Sequence, residues 1–261
     1  MEKKFAAQLY TVREELKGEG IRPVFRKLKE MGWAGVQISA LPSGYDPNEV
    51  ALALRENHLN AAGMHISLER LQTDLDNVLK EADLYGTKDI ICPFLSNDLR
   101  NEAGYREVKK TLNKVAKQAP EYRISYHNHA FEFDSKIDGQ DALSFILNPE
   151  DDNEILAEID VFWVKKGGYD PVKFISSYEN RMPIIHLKDM TPDERQTFAE
   201  VGEGVIDFIS ILEWGEANGI EWYAVEQDFC ERHPYDCLQT SLTNLNNLVK
   251  QVTVNQTGRQ K

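Results

Sequence analysis

The chain has 261 residues, 41% of them apolar, a length that suits one α/β barrel as well as two smaller domains. Its 43 acidic and 30 basic residues leave a formal charge of −13, a field that repels a nucleic-acid backbone. No apolar run approaches the roughly eighteen residues needed to cross a bilayer, so neither nucleic acid nor a membrane is an expected partner.

The opening, MEKKFAAQLYTVREEL, is charged and lacks the apolar segment of a secretion signal. A cytoplasmic protein is expected, or an exported one if a leader had been removed ahead of this start. Cys92, Cys230 and Cys237 make an odd count without tight metal spacing, which fits reduced thiols. A Cys230–Cys237 bridge is the pairing that an exported protein would leave open.

Eight short apolar runs closed by polar residues read as strands: 5–10, 34–39, 60–67, 88–94, 122–129, 154–160, 182–189 and 222–228. Their starts lie about thirty residues apart, and helical periodicity fills the gaps over 21–32, 71–86, 106–119 and 205–219. Gly32, Gly86 and Gly219 stand where helix C-caps are expected, each just before a strand. Eight alternations favour a single closed (β/α)8 TIM barrel over residues 1–250, followed by a polar tail over 251–261. An open doubly wound sheet is the rival, weakened because no G-x-G-x-x-G turn follows the first strand.

In such a barrel the residues ending each strand share one mouth. Those positions hold Gln8 and Tyr10, Gln37, His65, His127 and His129 with Glu132, Asp160, His186 with Lys188 and Asp189, and Glu226 with Gln227 and Asp228. Alternation puts His127 and His129 on one face. Carboxylates converging on an apolar rim repel unless a cation neutralises them, so one divalent ion is expected. Asp160, His186 and Glu226 offer mixed nitrogen and oxygen ligation suited to Mn, Co, Zn or Mg. The fourth ligand belongs to the fifth strand, where Glu132 and His127 are both able.

Simpler roles compete with these. A strand-end histidine such as His65 is more often a hydrogen-bonded support than a ligand, Asp160 could cap a helix, and Glu226 could pair with a lysine. His58 and His233 read as surface residues. Trp163 offers an aromatic face for a sugar ring, or else packs beneath a loop. The glycines around Glu203 could bring backbone N–H groups to a ligand, and KKGGYDP (165–171) reads as a mouth loop.

The stretches QLYTVRE (8–14), YHNHAFEF (126–133), EIDVFWVKKGGYDP (158–171), HLKDM (186–190), EVGEGVIDF (200–208) and VEQD (225–228) span nearly the whole chain. In order and spacing they resemble the bacterial sugar phosphate isomerase/epimerase group of the xylose-isomerase-like barrels, related to inosose dehydratase and the ketohexose 3-epimerases. The resemblance implies a divalent ion held by a strand-five glutamate and by residues matching Asp160, His186 and Glu226. Strand five departs from that pattern, with Tyr126 or His127 at the glutamate position and Glu132 about a turn further on. Strand two carries Gln37 where many relatives have an acid.

The implied chemistry removes a proton next to a carbonyl of a small carbohydrate, with Glu226 or His129 as base and Lys188 donating to the developing oxyanion. The pair His127 and His129 also suits a lyase, which needs an acid for the leaving group. Trp163, His65, Gln8, Tyr10 and Asp228 are the expected substrate contacts, and barrels of this kind often form homodimers. Two readings from other classes are an endonuclease IV-like phosphodiesterase, disfavoured by the charge and by only six histidines, and a sugar-binding barrel without catalysis.

Overall fold

Every one of the eight apolar runs forms a parallel strand in the computed structural model, which describes residues 4–150 and 152–258. The strands are β1 (Phe5–Gln8), β2 (Gly35–Ile38), β3 (Asn60–His65), β4 (Asp89–Cys92), β5 (Arg123–His127), β6 (Leu156–Glu158), β7 (Ile184–Leu187) and β8 (Trp222–Val225). Their order is β6-β5-β4-β3-β2-β1-β8-β7. Most of their residues are buried, as expected where side chains fill the barrel on one face and helices cover the other. A parallel bridge between Asp160 and His186, with His186 N–H donating to the Ile159 carbonyl at 2.9 Å, joins β6 to β7 and closes the cylinder.

The helices form the outer layer through amphipathic spacing. Ile21–Met31 buries Ile21, Val24, Phe25 and Leu28, one stripe at helical period, and ends on Gly32 at φ 104°, where a side chain would be strained. The helix expected over 71–86 is broken at Asp74 into Leu68–Thr73 and Leu75–Tyr85. Arg70 spans that break, contacting Asp74 at 3.1 Å and Glu81 at 2.8 Å. The final helix, Pro234–Gly258, runs through the expected boundary at residue 250 and buries Val252 completely, while residues 259–261 of the expected tail lie outside the described residues.

Several strands stop short of the expected ends, because the polar residues that were counted have already left the ladder. After His127 the Asn128 side chain turns back to accept the Asp160 N–H at 2.9 Å, and the chain enters a tight turn over Phe131–Phe133. At the opposite end of the barrel Arg123 bridges Asp89 and Glu221, a closure that reads as stability rather than chemistry. Among the described residues no helix is long and apolar enough to cross a membrane, and Cys92, Cys230 and Cys237 are free.

Candidate active site

Four donors from successive strand ends meet at the mouth. His127, Asp160, His186 and Glu226 each present a ligand atom, all within 4.8 Å of one another, and all four residues are buried. Asp160 divides its two oxygens: Oδ1 accepts from the N–H groups of Phe162 (2.9 Å) and Trp163 (3.2 Å), capping the helix Val161–Lys166, while Oδ2 makes no aligned hydrogen bond and faces the Lys188 ammonium at 3.0 Å. The capping role and the ligand geometry therefore coexist in one side chain. Oδ2 lies 3.9 Å from His186 Nδ1 and 4.0 Å from His127 Nε2, the spacing of donors arranged around a common point.

Charge favours a cation there. Lys188, fully buried, sits 3.0 Å from Asp160, 2.8 Å from Glu226 and 2.7 Å from Asp228, so three carboxylates share one ammonium. Burial pushes Asp160 up to about 6, with Lys188 opposing. Glu226 would also be raised by burial, but Lys188 and His186 hold it well below the usual carboxylate range. Burial alone would depress His186, yet Glu158 and Glu226 lift it to about 10. A site that stabilises positive charge so strongly, lined by imidazole and carboxylate without thiolate, fits a divalent ion of the borderline or hard kind.

Beneath these donors lies a second layer. Glu158, fully buried on β6, places Oε1 at 2.7 Å from His65 Nε2, 3.2 Å from His127 Nδ1 and 3.0 Å from His186 Nε2. Its Oε2 accepts from Gln37 Nε2 at 2.5 Å, and Gln37 Oε1 in turn accepts from Gln8 Nε2 at 2.5 Å and lies 2.6 Å from His186 Nε2. The barrel register produces this layer, since β5 sets His127 opposite Glu158 and β1 sets Gln8 opposite Gln37.

A cavity of about 510 Å³ opens above, lined by Tyr10, His65, Phe94, His127, His129, Glu226 and Asp228 among others. Burial drives the His129 imidazole down to about 3, assisted by the Lys188 charge, so it is neutral near pH 7. Its ring stacks on Phe131 and meets the edge of Phe94, and its Nδ1 is buried without a partner. A wider groove of about 730 Å³ lies on the outside, between the helices Leu68–Thr73 and Leu75–Tyr85 on one side and Glu102–Gln118 on the other, but it gathers lysines and scattered acids with no converging donors.

Other expected residues take different places. Glu132 is buried away from the donor cluster, accepting from Tyr126 Oη (2.7 Å) and the His129 N–H (2.8 Å). Gln8 lies in the lower layer rather than on the cavity wall. Trp163 is half-buried among His129, Phe162 and Phe198, beside rather than on the cavity lining. The amides around Glu203 do not reach toward a ligand: those of Gly202, Gly204 and Ile206 all donate to the buried Asp189 carboxylate, as does that of Met190. His58 and His233 are exposed.

Sequence reading did not single out Glu158 or Phe94. Glu158 carries a signal, since it stands two residues before Asp160 and strand alternation points both inward. Phe94, 51% exposed on the loop after β4, has no periodic signature.

No family model matches the chain. An inosose dehydratase from Geobacillus kaustophilus is 27% identical over 146 residues, 49% of this chain and 46% of that protein, so the alignment spans about half the relative's length. A sugar phosphate isomerase/epimerase from Parabacteroides distasonis superposes with a TM-score of 0.76 at 20% identity, covering 93% of this chain and 97% of that one. The IolI protein, solved with a zinc atom bound, superposes with a TM-score of 0.71 at 15% identity over 95% of this chain and 99% of that one. By fold the protein is a TIM barrel like these two structures, and in sequence it is similar to inosose dehydratases.

Proposed function

We propose that the protein is a divalent-metal-dependent enzyme that removes a proton next to the carbonyl of a small keto-sugar or keto-polyol. The observation that carries this reading is the convergence of His127, Asp160, His186 and Glu226 at the base of an open cavity that His127 and Glu226 line. Those four side chains would hold the ion, with His127 in the strand-five position and Glu132 supporting the turn instead. Bound there, a divalent ion would polarise the substrate oxygens and lower the cost of enediolate formation.

The remaining steps belong to side chains on the cavity wall and, for Lys188, just behind it. Glu226 lines the cavity and is ionised near neutral pH, so it is placed to accept the proton. Lys188, a buried cation held well above its usual range by Asp160, Glu226 and Asp228 against the cost of burial, donates to the oxyanion that develops or to a departing hydroxyl. Neutral His129 supplies a second proton carrier on the adjoining wall. Loss of water is favoured over isomerisation because the chain is similar in sequence to inosose dehydratase, and because the site offers a donor as well as an acceptor.

Elemental analysis of purified protein, followed by incubation in D2O with inososes, 3-keto-glycosides and ketohexoses, tests the proposal. Deuterium exchange next to the carbonyl, lost on chelation and in Glu226→Gln, is the expected result. Exchange that survives complete metal removal overturns the metal-dependent reading. A metal-loaded protein that binds these sugars but exchanges no proton is instead the sugar-binding barrel without catalysis.

A further inference from the structure

We infer that Glu158 is the positioning residue of the metal centre: one carboxylate oxygen beneath the floor selects which ring nitrogen of both His127 and His186 faces the ion. This inference rests on the proposed metal site. Its own ground is a geometric coincidence at Glu158 Oε1, which lies 3.2 Å from His127 Nδ1 and 3.0 Å from His186 Nε2. The opposite nitrogens of the same two rings, His127 Nε2 and His186 Nδ1, are the ones that approach Asp160 Oδ2, at 4.0 and 3.9 Å.

An imidazole that donates its N–H to a carboxylate presents an unprotonated nitrogen on its far side, fixed in direction and made more basic. The two histidines turn opposite ring atoms toward one oxygen because β5 and β7 approach Glu158 from different directions; His127 Nδ1 has no aligned hydrogen bond and His186 Nε2 lies closer to Gln37 Oε1, so what the two rings share is the Glu158 charge. Gln37 completes the arrangement: its Nε2 donates to Glu158 Oε2 at 2.5 Å, while its Oε1 sits 2.6 Å from His186 Nε2. A glutamine at this position on β2 provides both a donor and an acceptor, whereas a second carboxylate would repel Glu158. Asp160 and Glu158, two residues apart on one strand, thus act at two depths: the upper carboxylate faces the ion and the lower one aims the imidazoles.

Glu158→Gln tests the role, since it keeps shape and one acceptor but removes the charge. Metal-stripped wild type and variant are titrated with cobalt(II), following stoichiometry, affinity and the visible spectrum, and ring-nitrogen NMR of the zinc-loaded proteins reads the histidine tautomers. Expected are one ion per chain in both, affinity lower by about 10- to 100-fold in the variant, and altered tautomers for His127 and His186. Unchanged affinity and tautomers, or lower stability with tautomers retained, would overturn the inference while leaving the metal site standing. Two ions per chain, with one lost in the variant, would also overturn it by making Glu158 a ligand. Wild type that binds no cobalt removes the proposed function itself, and this inference with it. If Glu158→Gln does not fold, Glu158→Asp, which withdraws the oxygens by one methylene, carries the same readings with a smaller expected loss.

Discussion

Asp160 and His186 are partners in the parallel bridge that closes the barrel between β6 and β7. Two of the four candidate ligands are therefore held by the same backbone pairing that completes the fold, and their relative position cannot change without opening the seam. Asp160 is fixed a second time by the helix it caps. A centre built this way is preorganised by barrel closure rather than by mobile loops.

The two functions of Asp160 are separable. Asp160→Asn keeps an acceptor for the Phe162 and Trp163 amides but removes the charge next to Lys188, so cobalt affinity should fall by more than about 100-fold. Asp160→Ala should lose the metal as well and in addition about 1 kcal/mol of stability through the missing cap. Titration calorimetry and urea unfolding on both variants read the difference.

Lys188 partly neutralises the acidic floor. Replacing it by Met leaves Asp160, Glu226 and Asp228 buried with less compensation, so the metal-free protein should lose about 3–5 kcal/mol. Because a bound divalent ion would restore that compensation, the rise in melting temperature on adding cobalt or zinc should be larger for Lys188→Met than for wild type. An equal rise in both proteins would count against electrostatic coupling between the lysine and the ion.

Glu132 gives a pH dependence with a definite sign. Burial pushes its carboxyl from 4.5 up to about 7, with the hydrogen bond from Tyr126 opposing. A carboxyl raised on folding contributes stability below its unfolded value and loses it as pH rises through the folded one, here between about 4.5 and 7. Glu132→Gln cannot ionise, so its stability relative to wild type should improve by roughly 2.5 kcal/mol between pH 5 and pH 8. Denaturant unfolding of the two proteins at both pH values checks this, and a pH-independent difference would refute it.

Asp189 holds the segment after β7 by accepting from the amides of Met190, Gly202, Gly204 and Ile206. Asp189→Ala strands these donors and should cost about 3 kcal/mol or more. Proteolysis near 198–207 should accelerate in step. Gly204→Ala should act in the same direction, since a Cβ there would lie 2.3 Å from the Met190 carbonyl oxygen and 2.4 Å from Asp189 Oδ1.

The eight-stave barrel was legible in the sequence because strand and helix impose different periods, and because parallel strands need crossovers of similar length. Gly32 and Gly86 marked helix ends for an equally local reason, their left-handed backbone. The polar strand ends at Asp160, His186 and Glu226 could likewise be listed from position alone.

What required the tertiary structure was depth and direction around the mouth. Alternation cannot rank His127 against Glu132, because Glu132 lies beyond the strand in a turn whose path is set by Tyr126 and the His129 amide. The convergence of Glu158 on three imidazoles from β3, β5 and β7 depends on the relative stagger of strands far apart in the sequence. Local periodicity determines which residues turn inward; only the closed register decides which of them meet, since hydrogen-bond pairing between staves sets the height of each side chain.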